Sequence, residues 1–483
     1  MRVSDINPQE NKAKKSENRL VAFVKQIKNG LSTPKPDDFD SKAASKQVIS
    51  IAWPAMVESF LLHLASMVDT MMVGSLGTWA IASVGYCTQP RMLLLAVFQA
   101  FNTGCTALIA RAKGAGNHEE ANKVLHMSLL ISLIFGVLMA FIGYTFARQL
   151  VLMMGAMEDV TISNGTAYMQ VLMISFPANV MSLSITAALR GIGKTKISMV
   201  YNVIANSLNI VGNYLFINGN LGCPALGVRG AALGMVIGWL AAFVIAIVVI
   251  LRGVDMLKLN VKKLFKVDFS ILRRVVNIGL PAMFEQFFMR IGQILFGRVV
   301  ASLGTQQFAT HQIANNIWSM TMMNGMAFGI SATSLTGQSL GRKRPDQGKA
   351  YVQLCRRYSM IISLCMAAGL IFLGKPLAGM YTTEAAVIAQ SAMVLRIVAL
   401  IQPLQSSQQV LAGALRGAGD TKAVAMCIFL GIVVVRPIFS AVMVFGLGWG
   451  LIGVWLALIC DQSMRSLYTM WRFSTDKWKT LKV

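Results

Sequence analysis

Four carboxylates stand inside long apolar stretches of this 483-residue chain: Glu58, Asp69, Glu285 and Asp461. A charge in such surroundings is costly, so it faces either a partner or a water-filled cavity. A carboxyl in low dielectric holds its proton more readily, which suits it to take and release protons near neutral pH. Ringed by oxygen donors, the same group holds Na+ instead. Glu58 and Asp69 are about three helical turns apart, which puts them on one face with about 16 Å between them. Asp461 has Arg465 one turn later and reads as a neutralising pair. Glu285 has no such neighbour, because Arg290, more than a turn further on, falls off its face.

Asn202, Asn206, Asn209 and Asn213 lie within about 60° of one another on a helical wheel. Such a stripe of amides serves equally well to bind helices together or to line a hydrated cavity and offer carbonyl oxygens to an ion. The second half adds Gln286, Arg290, Arg298, Arg396, Gln405 and Arg436 at membrane depth. Arginines there pair with acids, reach for the interface or meet an anionic ligand. The cluster Met320, Met322, Met323 and Met326 fits adaptable apolar packing.

The elements that carry these residues are written twice. Pro54-Ala55-Met56-Val57-Glu58 returns as Pro281-Ala282-Met283-Phe284-Glu285, and Ser75-Leu76-Gly77-Thr78 returns at the same offset as Ser302-Leu303-Gly304-Thr305. Arg190-Gly191-Ile192-Gly193-Lys194-Thr195-Lys196 returns, with the offset shorter by one, as Arg416-Gly417-Ala418-Gly419-Asp420-Thr421-Lys422. With 55% hydrophobic and 13% charged residues, the chain contains twelve apolar runs of membrane-crossing length. They fall near 48–74, 84–110, 124–146, 164–189, 197–217, 228–251, 275–301, 311–337, 352–374, 390–414, 424–446 and 449–471. The pattern predicts an all-α polytopic membrane protein: twelve transmembrane helices in two parallel six-helix repeats, an N-lobe and a C-lobe, around a central cavity. Prolines inside the runs, among them the matched pairs Pro54/Pro281 and Pro177/Pro403, predict bends.

The net charge of +24 reports topology rather than affinity for nucleic acid. Lys and Arg crowd into the N-terminal arm, alternate loops and the tail, and the intervening loops are almost bare, which predicts cytoplasmic termini and an even number of spans. The expected organisation is a basic cytoplasmic arm over 1–45, the N-lobe over 46–252, a cytoplasmic linker over 253–270, the C-lobe over 271–472 and a cytoplasmic tail over 473–483. Within the arm, Leu20, Phe23, Val24, Ile27 and Leu31 follow helical spacing, so it is either a helix on anionic lipid or an unstructured tail. Seven cysteines show neither a disulfide framework nor a metal pattern, and no cleavable signal peptide is visible. No Walker A loop, HExxH or nucleophile elbow is present, so this is not an enzyme and any pumping is ion-driven.

Taken together, Val68-Asp69-Thr70 with Gly74 and Gly77, the Leu-Arg-Gly-x-Gly-x-Thr-Lys blocks beginning at Leu189 and Leu415, and Leu208-Asn209-Ile210 with Asn213-Tyr214 resemble the multidrug and toxic compound extrusion (MATE) family over roughly 46–472. The pattern is nearer the NorM-type branch than the DinF-type branch, which commonly has an aspartate at the place of Asn213. The resemblance implies two lobes forming a V-shaped cavity and export of organic compounds in exchange for H+ or Na+, with Asp69 in coupling. It departs in the second lobe, where the NorM-type helix-7 glutamate falls near Met289 and the helix-10 acid falls near Gln405.

The expected function is therefore an inner-membrane antiporter, coupled to H+ or Na+, that exports amphipathic cationic compounds by alternating access. Asp69, Asn209, Asn213 and Glu58 are the expected ion-coupling residues, with Asp69 able to hold Na+ and no other metal or cofactor. Glu285, Gln286, Arg290, Asn206, Gln405, Arg298 and Arg436 are the expected substrate surface. Partners are small organic substrates and membrane lipid, with no nucleic acid, and one chain supplies both lobes, so a monomer suffices. Two rivals differ in cargo: an exporter of anionic metabolites that uses the C-lobe arginines, and a flippase of lipid-linked precursors.

Overall fold

The computed structural model describes residues 36–481, and the helix expected in the N-terminal arm lies outside them. Twelve long helices follow one another in the order the apolar runs predict. They are α1 (Ser41–Gly74), α2 (Thr78–Gly114), α3 (His118–Thr145), α4 (Asp159–Gly191), α5 (Thr195–Asn218) and α6 (Val228–Arg252), then α7 (Phe269–Ala301), α8 (Thr305–Gly341), α9 (Pro345–Gly379), α10 (Ala385–Gly417), α11 (Thr421–Gly446) and α12 (Gly450–Ser474). Among the described residues, eight of these are long and apolar enough to cross a membrane by length and composition. The four that fall short are α5, α7, α8 and α12, and three of them carry the asparagines, the Glu285–Arg290 segment and Asp461. Their low hydropathy is the mark of polar groups placed inside.

Helices α1–α6 and α7–α12 form two bundles packed alike. The α1–α5, α2–α4 and α5–α6 packings of the first bundle return as α7–α11, α8–α10 and α11–α12 in the second. Between bundles, α1 packs on α8 and α7 packs on α2, an exchange that a twofold axis beside α2 and α8 requires. The linker folds back on α3: Asn122 accepts from Lys258 N at 2.7 Å and donates to Met256 O at 2.9 Å.

Local chemistry explains the helix ends and breaks. Asp40 and Asp268 cap α1 and α7, each accepting from two backbone N–H groups. The interior prolines sit within continuous helices, but Pro437 coincides with a change of winding. Two π-helical stretches, Phe429–Val435 and Val442–Gly446, flank the α-helical segment Arg436–Ala441. A proline clashes with the carbonyl four residues earlier, and a wider turn relieves the clash.

The two bundles meet at the end that carries most of the lysines and arginines and both described termini. There Ser334 Oγ and Gln338 Nε2 of α8 donate to Gly191 O at 3.0 and 3.1 Å. Tyr351 and Tyr358 of α9 reach Gln47 and Ser45 of α1 at 2.8 and 2.9 Å, and Arg274 of α7 pairs with Glu120 of α3 at 2.6 Å. Small residues let the backbones approach: a Cβ on Gly104 would stand 2.9 Å from Val275 O. Toward the opposite end, α1 and α7 leave Leu62, Met67, Phe287 and Ile294 exposed, and a Cβ on Gly297 would meet nothing within 4 Å. The bundles are closed at the basic end and part toward the other.

Overpacking this contact is expected to open it. Gly104→Leu should cost about 1–3 kcal/mol of the closed arrangement. A cysteine placed at Ser334, buried here, should resist maleimide in the parent and react once Gly104→Leu is added. Unchanged protection would show that the α2–α7 contact does not hold this end shut.

Candidate functional site

Helices α1 and α5 run side by side, and the amide stripe of α5 meets the acid face of α1 at two levels. Asn202 Nδ2 donates to Glu58 Oε1 at 2.8 Å, and Asn213 Nδ2 donates to Asp69 Oδ1 at 2.7 Å. The two pairs have the same separation in sequence, so the two rungs are one register read three turns apart. Asn209, with its nitrogen toward the carboxylate, donates to both Asp69 oxygens at 3.0 and 3.1 Å, and its oxygen accepts from Met235 N at 3.1 Å. Among the described residues Asn206 bonds back to Asn202 O, at 2.7 Å, and to neither acid. The stripe is therefore the partner of the two α1 carboxylates.

The lower rung is closed by a cation. Arg190, at the end of α4, donates to Glu58 Oε1 at 2.9 Å, and Ser198 Oγ stands 3.4 Å from Oε2. Glu58 is buried and held in an ion pair, so the coupling role expected for it would have to work against Arg190. The C-lobe repeats the device, with Arg416 donating to both oxygens of buried Glu285. Glu285 is thus turned inward to Arg416, away from any cationic substrate. The partner was present in the sequence as the arginine of each Leu-Arg-Gly block; only the fold, which sets α4 beside α5 and α10 beside α11, shows whom it meets.

The upper rung has no ion-pair partner among the described residues. The cation whose charge acts on it is Arg91 of α2, which the sequence reading passed over. Arg91 Nη1 donates to Met235 Sδ at 2.9 Å, and the guanidinium lies 6.0 Å from the Trp239 ring centre, within electrostatic reach of Asp69. Met235 is the same residue whose backbone Asn209 holds, so Arg91 and Asp69 flank one turn of α6. Tyr168 of α4 and Cys87 of α2 complete the charged and titratable surroundings. The carboxylate is ringed by N–H donors, with the Asn213 carbonyl oxygen as a buried acceptor without a partner.

The corresponding place in the C-lobe has other chemistry. At the repeat offset that relates Glu58 to Glu285, Phe296 takes the place of Asp69 and Trp318 that of Arg91. Over Phe296, at 5.3 Å from its centre, lies the guanidinium of Arg436. Arg436 is buried and bonded to Asp461 at 2.5 and 3.0 Å, so it is a buried structural cation and not the substrate-lining residue expected. Asp461 also takes Arg465 at 2.8 Å, which is the pair the spacing predicts with a second arginine added. Gln405 is buried too, accepting from Trp318 Nε1 at 3.0 Å. Gln286 and Arg290 are partly exposed and Arg298 is exposed near the far end of α7.

A crevice of about 590 Å³ lies elsewhere, at the basic end between α1, α5 and α6, lined by Ser50, Lys194, Lys196, Ile197, Val200 and Ile245 among others. It does not reach Asp69. No cluster of metal-ligating side chains occurs among the described residues.

Two similarly built helical bundles, closed at one end around intramembrane acids, define a membrane transporter of two internally repeated lobes. The MatE family model matches both lobes, over residues 54–215 and 281–442, and the chain belongs to that family. A probable multidrug resistance protein NorM of Thermotoga maritima is 26% identical over 435 residues, covering 90% of this chain and 93% of that protein. A multidrug resistance protein MdtK of Edwardsiella ictaluri is 24% identical over 387 residues, covering 80% and 84%. Among solved structures, a MOP superfamily transporter from Pyrococcus furiosus superposes with a TM-score of 0.84 at 22% identity, covering 91% of this chain and 97% of that one. An outward-facing multidrug resistance MATE family transporter superposes with a TM-score of 0.83 at 22% identity, covering 89% and 96%.

Breaking either buried pair from one side strands a charge. Arg190→Met should cost about 3 kcal/mol or more, because Glu58 is left uncompensated. Adding Glu58→Gln should return most of it, read as thermal unfolding in detergent around a double-mutant cycle. Additive losses would show that the pair does not stabilise the lobe.

Proposed function

We propose that this chain is a proton-coupled antiporter that exports amphipathic organic compounds, drugs included, across a bacterial-type inner membrane, with both termini cytoplasmic. The observation that carries the reading is the surroundings of Asp69: two asparagine amides that donate to it and a guanidinium close by. The positive field of Arg91 at Asp69 disfavours a resident cation such as Na+, for which the site offers one further buried oxygen, that of Asn213, beside the carboxylate. A proton needs only the carboxylate. The alternation of basic and bare loops supports the orientation, and the relatives named for multidrug resistance support the cargo. With the basic end inside, the present arrangement is outward-facing.

In this cycle a proton from outside enters between the parted lobes and loads Asp69. The neutral carboxyl no longer draws the amides of Asn209 and Asn213 as a carboxylate does, since bonds to a charged acceptor are about twice as strong. The upper rung between α1 and α5 loosens while the lower rung, Glu58 with Arg190 and Asn202, stays charged and fixed. Bending of α1 above that fixed point changes the N-lobe wall and releases the cargo. Cargo taken from inside favours the opposite arrangement, and the exchange needs only that proton and cargo prefer different states. One chain suffices for the cycle.

Efflux of a fluorescent amphipath from proteoliposomes, under a pH gradient and separately under a Na+ gradient, tests the reading. The pH gradient should drive wild type and the Na+ gradient should not. Asp69→Asn should lose the proton-driven component, and efflux from that variant at the wild-type rate would sink the assignment. Arg91→Gln removes the guanidinium beside the acid, so Na+ should then drive efflux or compete with protons. If the variant stays indifferent to Na+, Arg91 is not what keeps the alkali ion out.

A further inference from the structure

The faces of α1 and α7 that hold the lobes together at the basic end continue upward into the space where the lobes part. On α7, Val275 and Gly279 lie against α2. Gln286, Arg290 and Gln293, about two, three and four turns beyond Gly279, occupy the same face within an arc of about 60°. On α1, the carbonyl of Val48 accepts from Ser331 of α8 at 3.4 Å. The stripe that begins there continues through Ser59, His63 and Ser66 within a similar arc of about 60°. His63 and Arg290 are related by the repeat offset of Glu58 and Glu285, so they are one position of the repeat, each on the helix face that meets the other lobe at the basic end.

Both members of this repeat-related pair are basic and partly or fully exposed. Arg290 forms no ion pair among the described residues; its Nη1 donates to Gln293 Oε1 at 3.2 Å. Each acid of the spans is already engaged within its own lobe. Glu58, Glu285 and Asp461 are taken by Arg190, Arg416 and the Arg436–Arg465 couple, and Asp69 is held by the α5 amides. Glu158, Asp159 and Glu384 lie beyond, at the starts of α4 and α10. What the two walls present at mid-depth is a guanidinium, an imidazole, two glutamine amides and serine hydroxyls. That is a set of donors with positive charge, set among exposed apolar groups such as Leu62 and Phe287.

We infer that His63 and Arg290 form the head-group site of the exported compound, and that this compound is an amphipathic organic anion or zwitterion bearing a carboxylate, sulfonate or phosphate. The inference rests on the antiport reading and names its cargo. Arg290 supplies the bidentate, permanently charged half of the site, and His63 supplies a second donor from the opposite lobe. An anion bridging the two holds the lobes' upper halves in a defined relation, and closure of the cleft brings both donors onto it. The amides of Gln286 and Gln293 bind the remaining oxygens.

The test uses proteoliposomes under an imposed pH gradient with two probes, carboxyfluorescein as the anion and ethidium as the cation. Wild type should move carboxyfluorescein, and Arg290→Gln and His63→Gln should each lower that efflux on the order of tenfold, the loss of one charge-assisted contact. Arg290→Lys keeps the charge without the fork and should recover much of the rate, which a merely folding-related loss would not show. Proton-driven movement of ethidium with none of carboxyfluorescein overturns the anion site and leaves the antiporter standing. Movement of carboxyfluorescein that neither substitution slows overturns the two residues. Movement of neither probe by folded protein overturns the antiport reading itself, and the cargo with it.

Discussion

An ionised carboxylate inside a membrane must be answered by another group, and the architecture of this protein follows from how each one is answered. Glu58, Glu285 and Asp461 are answered by arginines delivered from another helix of the same lobe, with a residue of the acid's own helix added for Asp461. These pairs fix α1 to α4 and α5, and α7 to α10. Buried pairs of this kind contribute little net stability, since desolvation offsets most of the attraction. Their effect is positional: a slip of either helix strands two charges. Asp69 is the exception, answered by neutral amides with a cation near but unpaired. It is the one span carboxylate whose charge can change without stranding a partner.

Duplication makes that exception visible. The two lobes share their helix order, their packing and their lower ion pair, so what differs between them is informative. Where the N-lobe has Asp69 and Arg91, the C-lobe has Phe296 and Trp318, with the ring of Phe296 beneath Arg436. The C-lobe is thereby a fixed body: its buried arginines are locked on Asp461, and its aromatic residues Phe296, Trp318 and Trp455 pack with His311 in one cluster. The interlobe contacts at the basic end are shared by both lobes.

Much of this was legible in the residues. Apolar length and repeat spacing gave the twelve helices and their order, because those patterns depend only on local periodicity and on bilayer thickness. The register between α1 and α5 was implicit in the equal spacing of Glu58 to Asp69 and Asn202 to Asn213, yet nothing local says that those two helices touch. For the same reason Glu285 read as a free acid: its partner Arg416 is distant in sequence and is fixed by tertiary packing. Arg91 escaped notice because it stands alone in an apolar run, with a thioether and an indole as its contacts, and no sequence pattern marks those as a guanidinium's neighbours. The π-helical winding of α11 was likewise hidden, since Pro437 announces a disturbance but not its form.

The placement of charge also bears on how the two ends of the cleft differ. At the closed end the lobes are joined by hydroxyl, amide and tyrosine contacts between helices that approach through glycine, and by one partly exposed ion pair, Arg274 with Glu120. At mid-depth, by contrast, every strong interaction is within a lobe. Each lobe is thus held internally by buried charged pairs, and the two meet chiefly through smaller contacts. Gly104 and Gly337 serve the meeting, where a side chain would hold the backbones apart. Arg190 and Arg416 serve the bodies, one in each repeat, at the same register of the same motif. The Leu-Arg-Gly-x-Gly-x-Thr-Lys block therefore joins both tasks in one turn, its arginine tying the lobe together while Gly191 offers its carbonyl to the other lobe.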